Sequence, residues 1–256
     1  MQTYTDTTKN NLYTNSSILI ISLVFLISAC SPSIYRMETQ TEPDFYHQGK
    51  QYVQSGTDSV FVTVAYYRHG KDLVTFDVEV TNFSDKNVRI DPSEVRFKAS
   101  WLPDKVVGID ADETKVVQGR ARNPEKQLIN IDKKIAGERK EQNVYNGINL
   151  ALFSLSLAAG ATADSHHEKQ EIRADRQYLI HSAEQEAYEF NLEMENLNNR
   201  REIWEIDALR ITDILPDDYV RGLVFVPNIK KATTYEVQIP IEGSVHTFQY
   251  IQKEFK

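Results

Sequence analysis

Few side chains in this sequence stand where chemistry would need them. The densest ligand-like cluster is His166-His167-Glu168. Neighbouring residues on a helix point in different directions, however, and zinc sites favour histidines four apart on one helical face. The triplet therefore reads as a solvated helix start. Asp217-Asp218 and the group Asp110, Asp112 and Glu113 offer oxygen ligands for calcium, but neither follows the Asp-x-Asp-x-Asp-Gly order of a calcium loop. Both read as turn and loop residues. The chain holds no Gly-x-Ser-x-Gly elbow, phosphate-binding loop or His-Glu-x-x-His pair. The expectation is a protein without catalytic residues, metal or cofactor. One residue with distinctive chemistry remains, Cys30, which is the only cysteine.

Cys30 follows an apolar run at residues 18–27 that is interrupted only by Ser22. A membrane-spanning helix needs roughly 20 apolar residues. This run has about half that and ends in small side chains, which fits an export signal. The segment Leu26-Ile27-Ser28-Ala29-Cys30 resembles the lipobox of bacterial lipoproteins. The resemblance implies that residues 1–29 are removed as a signal peptide and that Cys30 receives a diacylglyceryl group, with further acylation at its new amino terminus. Membrane attachment would then run through lipid on Cys30, since two or more acyl chains hold stably at about 0.8 kcal/mol per buried methylene. The alternative for Cys30 is a free thiol behind a signal peptide. No aspartate follows the cysteine in Ser31-Pro32-Ser33, and similarity to enterobacterial lipoproteins then implies sorting to the outer membrane. The lack of an acidic run implies a periplasm-facing domain.

Without the leader no cysteine is left, so no disulfide can support the exported part and its core must hold it together. The chain is long enough for one large domain with an insert. A formal charge of −8 argues against nucleic acid or anionic lipid headgroups as the main partner.

Residues 30–56 are polar and without apolar period, which suits a lipidated tether, with order starting near Thr57. Beyond it, Val60 to Tyr67 is β-branched and aromatic. Phe76, Val78 and Val80 alternate strictly against Thr75, Asp77, Glu79 and Thr81. Short alternating segments continue at Val88-Arg89-Ile90 and Val95-Arg96-Phe97-Lys98-Ala99. Strand pattern resumes late in the chain with residues 220–227, and residues 235–241 and 245–251 alternate. Short strands between turn clusters argue for antiparallel sheets with one face of each in water. The stretch Val80-Thr81-Asn82-Phe83-Ser84-Asp85-Lys86-Asn87-Val88-Arg89-Ile90-Asp91-Pro92-Ser93-Glu94-Val95 resembles the strand-turn-strand pattern of immunoglobulin-like domains in secreted bacterial proteins, and the closing hairpin is similar to their second half. The resemblance implies an α+β chain. Its immunoglobulin-like antiparallel β-sandwich would be built from residues 57–122 and 207–256, with a helical hairpin inserted at 123–206. Another antiparallel β-fold is the alternative.

Within that insert, Pro124 suits a first helical turn, and Ser165-His166-His167-Glu168 has the capping-box form. Ile180, Ala183, Ala187, Phe190, Met194, Leu197 and Trp204 fall at three-four spacing and form one apolar stripe, expected to pack on a neighbouring helix of the same chain, with packing on a partner protein as the alternative. Residues 144–163 carry no charge. A helix that is apolar all round is buried or in a membrane, so three readings arise. The favoured one is a central helix covered by the sheets and the capped helix. The others are contact with a membrane surface or partner, and a span. Together these features predict a non-catalytic, lipid-anchored envelope protein that binds or scaffolds another envelope protein. The alternatives are a membrane-active protein using residues 144–163, and an envelope enzyme with an unrecognised site.

Overall fold

The computed structural model describes residues 34–101 and 114–255; the leader, Cys30, Asp110, Asp112 and Glu113 lie outside the described residues. Eight strands precede two long helices: β1 (Ile34–Thr39), β2 (Phe45–His47), β3 (Lys50–Gly56), β4 (Val60–His69), β5 (Leu73–Asn82), β6 (Val88–Ile90), β7 (Arg96–Trp101) and β8 (Lys115–Arg120). Next come α1 (Pro124–Thr162) and α2 (His166–Glu202), which runs into a π-helical turn at Ile203–Asp207. Four strands close the chain: β9 (Thr212–Ile214), β10 (Tyr219–Pro227), β11 (Thr234–Ile241) and β12 (Ser244–Phe255). The chain thus mixes two helices with antiparallel sheets.

One five-stranded sheet has the order β1-β12-β11-β7-β8, another has β10-β5-β4-β3-β2, and β6 pairs with β9. Strands after the helices enter every sheet, with β10 beside β5, β11 beside β7 and β9 beside β6. The two large sheets share one apolar core. Val62, Val64, Phe76 and Val78 contribute from the second sheet, and Tyr235, Val237, Ile239, Phe248 and Tyr250 from the first. The Phe76 and Tyr250 rings meet across it at 5.0 Å. The period of two in β5 and β11 places every second side chain in this core, where each is shielded from water. Asn82 is fully buried and satisfied. Its amide donates to the carbonyls of Lys86 (2.8 Å) and Ile214 (3.0 Å), and its oxygen accepts from the Ser84 N–H, so one side chain ties the turn after β5 to β9.

Two expectations change. Residues 34–56 are not a featureless tether: they form β1, β2 and β3, and β1 pairs with β12 over six residues. β1 and β2 are edge strands, which need little apolar sequence. Met37 and Tyr52 are the fully buried residues there, and backbone pairing supplies the rest. The outer face of β5 is also not in water, because Thr75 and Asp77 are both buried.

The chain leaving α2 passes close over β10. Ala208 bridges Leu223 in parallel, and the Leu209 N–H donates to the Leu223 carbonyl at 3.0 Å. Gly222 makes this approach feasible, since a Cβ there would lie 2.6 Å from the Leu209 backbone. Backbone atoms cannot swing aside as a flexible side chain can. Gly222→Ala is therefore expected to destabilise the protein by about 1–3 kcal/mol, read as a lower urea midpoint at unchanged slope.

Candidate docking surface on a helical hairpin

α1 starts where its donors can be met. The Asn123 side chain accepts from the Lys126 N–H at 2.9 Å, and Pro124 occupies the first position, where a missing N–H costs nothing. At 39 residues α1 is about 58 Å long. α2 begins when Ser165 Oγ accepts from the Glu168 N–H at 3.1 Å. The two caps fix where each helix begins, and the pair forms an antiparallel hairpin.

Only the base of the hairpin is held by the sheets. Leu128, Ile131 and Ile135 of α1 pack with Leu197, Trp204, Ala208 and Phe225 in a second apolar cluster. Trp204 and Phe225 meet at 4.4 Å between ring centres, a contact beyond simple area burial. Arg210 grips Glu125 with two nitrogens, one at 2.9 Å, and Arg201 lies between Asp132 and Glu205. Near the base, Arg68 at the end of β4 and Asp72 from the β4–β5 turn share a cleft of about 620 Å³ with Gln127, Arg200 and Trp204.

Beyond the base the helices meet through half-buried apolar side chains, among them Phe153, Ile172, Leu179 and Phe190, interleaved with small and polar groups. The Asn149 amide donates to Glu186 at 3.3 Å, and Arg176 donates to the Ser156 carbonyl at 2.9 Å and to its hydroxyl at 3.3 Å. A Cβ on Gly160 would lie 3.2 Å from the Arg176 guanidinium. Glu138, Glu141, Glu186, Glu189 and Glu193 line a groove of about 290 Å³ between the helices.

The apolar side chains of α1 instead face outward. Val144 is 54% exposed, Leu150 68% and Leu155 66%. The favoured reading of residues 144–163 as a covered central helix is thus corrected: every buried residue of α1 lies between Pro124 and Ile135. An 18-residue window of α1 has a mean hydropathy of 1.3 and none of it is buried, so by length and composition this helix could cross a membrane. The hydroxyls on it turn inward, with Ser154 donating to the Leu150 carbonyl at 2.8 Å and Thr162 to the Ala159 carbonyl at 3.2 Å. Such back-bonding leaves little unmet polarity at the surface. A continuous apolar face of this kind marks an interaction site.

The stripe expected on α2 is shifted. Ala183, Phe190, Met194, Leu197 and Trp204 do face inward to some degree, but Ile180 and Ala187 are exposed, and the inner line runs through Ile172, Arg176, Leu179 and Glu186. Hydrophobicity alone ranks Ile180 with Leu179; the contact with α1 chooses between them.

The other residues singled out by chemistry are scattered. His166 and His167 are exposed at the tip, with His167 Nδ1 3.6 Å from Glu171, and Glu168 serves the cap through its backbone. Asp217 sits at φ 58° in a turn, and Asp218 accepts from the Tyr219 N–H. Among the described residues no three His, Cys, Asp or Glu side chains are grouped to hold a metal.

A polar cluster that sequence reading missed lies on the outer face of the second sheet. Asp77 receives Arg221 through two nitrogens, at 2.9 and 2.7 Å, and the Tyr52 hydroxyl at 3.2 Å, with Lys50 at 3.6 Å. Burial opposes ionisation of Asp77, but the Arg221 hydrogen bonds and charge outweigh it and hold the carboxyl below its ordinary value. The Asp77 bonds in turn hold the Arg221 proton more tightly. Every bonding group of the carboxylate is occupied, so the cluster acts as a brace between β10, β5 and β3. In the core, His246 is buried with Nδ1 3.0 Å from Ser55 Oγ, and burial lowers its affinity for a proton.

Because folding depresses the Asp77 pKa, its ion pairing stabilises the fold fully above the unfolded value of about 3.9. The contribution is lost as pH falls through the lower folded value. Asp77→Asn is expected to lose about 2 kcal/mol at neutral pH, discounted because Arg221 is partly exposed. Urea midpoints of the two proteins should converge below about pH 3.9. A gap that is constant with pH counts against the brace. In comparisons with known proteins, the chain matches no protein-family model and no curated protein significantly.

Proposed function

We propose that this is a non-catalytic, lipid-anchored protein of the bacterial envelope whose sheets hold a helical hairpin out as a docking element for another envelope component. The observation that carries this reading is the uncharged face of α1, exposed along the half of the helix remote from the sheets. A helix serving only its own fold would turn that face inward. In this reading the two-sheet body is an immunoglobulin-like sandwich, Cys30 carries the lipid, and the body faces the periplasm from the outer membrane. Nucleic acid has no place as a partner for a chain of charge −8.

The position of the first described residues supports the anchor. Ile34 pairs with Phe255, and the Tyr35 ring lies 5.5 Å from His69, beside the β4–β5 turn that also borders the hairpin base. Four residues from Cys30 reach at most about 14 Å, so lipid on Cys30 would bring the bilayer to the end of the body from which the hairpin leaves. A second reading, favoured by the uncharged length of α1, is a membrane-active hairpin that lays this helix in lipid.

Radioactive palmitate is expected to label the intact protein, and Cys30→Ala is expected to abolish both the label and the membrane fraction. An unlabelled product removes the anchor from the proposal. Crosslinking in intact cells should capture a partner that disappears when residues 123–206 are deleted. An unchanged partner would move recognition to the sheets. Detergent-free solubility of a mature form bearing Cys30→Ala would count against the membrane-active reading.

A further inference from the structure

We propose that the outer face of α1 binds a second copy of itself, antiparallel, about a two-fold axis near residue 153. The inference rests on the hairpin being a docking element and is independent of the lipid.

Val144, Ile148, Ala151, Leu155, Ala158 and Thr162 follow one another at steps of four and three, the spacing of a coiled-coil seam. All six are exposed. At 3.6 residues per turn they lie on the side of α1 opposite Asn149, Ser156 and Gly160, which face α2. α1 therefore has two seams, and among the described residues only the one facing α2 is occupied.

The free seam has a large column, Ile148 and Leu155, beside a small one, Ala151 and Ala158. Parallel pairing would set large against large and small against small, leaving alternate layers crowded and empty. An antiparallel two-fold instead sets Ala151 against Leu155 of the second copy and Ile148 against Ala158. Layers then interdigitate, and the small residues let the helices approach closely. One face complementary to itself is what an isologous dimer requires.

Charge points the same way. Two copies meet here without repulsion because residues 144–163 carry no charge. A lipid-facing helix would carry tryptophan and basic residues at headgroup level, and this stretch has neither; its neighbour α2 has nine acidic against five basic residues. The size of the seam sets the strength. Nineteen residues extend about 28 Å, and half of a helix about 10 Å across gives roughly 450 Å² per copy. That is below the roughly 800 Å² per partner of a standard interface, so the dimer is reversible and concentration-dependent.

The test uses the mature chain, residues 30–256 with Cys30→Ala, without detergent. Sedimentation velocity is expected to show a monomer–dimer equilibrium. Leu155→Glu should weaken it at least tenfold and Ala158→Lys similarly, while Tyr178→Glu on the outer face of α2 leaves it unchanged; circular dichroism should show equal helicity for all. Nitroxide labels report the direction. Labels at Ala151→Cys should lie within about 15 Å of each other, and labels at Val144→Cys close to 30 Å apart, given 1.5 Å rise per residue. Short distances at both positions would mean a parallel pair and overturn the antiparallel assignment. A chain that stays monomeric at high concentration, or binds phosphatidylcholine vesicles through α1 as a monomer, overturns self-association. If that monomer still crosslinks to another envelope protein through the hairpin, the docking reading survives without it.

Discussion

A helical hairpin about 58 Å long is held to the body at one end, and the fold turns on how that end is fixed. The contact at its centre is Trp204 against Phe225. Trp204 reaches it from the π-helical turn at Ile203–Asp207, where wider hydrogen bonding alters the helical phase after α2. The same turn releases the chain toward Ala208 and Leu209, which must pass over β10 at Gly222. Helix exit, strand re-entry and aromatic packing are thus one construction. Because β10 shows Val224 and Val226 to the sheet core and Phe225 to the hairpin, the edge strand joins the two apolar clusters. The brace of Asp77 and Arg221 ties β10 to β5 further along the same face.

Above that base the hairpin mixes polar with half-buried apolar contacts on its inner side and leaves large apolar side chains outside. Arg176, Asn149 and Glu186 meet between the helices, while Leu150 and Leu155 face out. Hydrogen bonds of this kind contribute only about 1 kcal/mol each, so the distal hairpin draws little stability from its own interior. Propensity and capping carry it, together with the base. An arrangement of this sort is stable enough to stand, and its apolar exterior still gains free energy from any cover, at roughly 25 cal/mol per Å² removed from water.

Sequence reading succeeded where one period decided the outcome. β11 and β12 bury alternate side chains because each strand lies over a single core, and the helix starts at Pro124 and Ser165 depend only on residues within four positions. It failed where tertiary contact chose. β1 forms by pairing with β12 at the far end of the chain, and β3 by taking a place between β2 and β4, which their polar sequence does not announce. On α2, Leu179 and Ile180 are equivalent until α1 selects Leu179. The apolar character of residues 144–163 was plain, but hydrophobicity does not say what covers it. Asp77 and Arg221 are separated by most of the molecule, and each alone looks like a solvent-facing strand residue.

The weakness of the proposed seam on α1 and the proposed anchor at Cys30 bear on each other. An interface of roughly 900 Å² in total is too small to hold two soluble proteins together at low concentration. Copies tethered to one bilayer meet at a much higher effective concentration, which raises occupancy without any added contact. Antiparallel helices crossing near residue 153, each rooted at Leu128, would hold the two bodies about 75 Å apart at 1.5 Å per residue. The sheets then do not obstruct the seam. Each short lipid link still needs to reach the membrane, so the paired hairpins would have to lie along the bilayer surface rather than stand away from it. In that pose the acidic α2 can remain in water and the α1 seam is shared between copies. Lipid attachment and hairpin length would thus set the orientation that a self-complementary face alone leaves open.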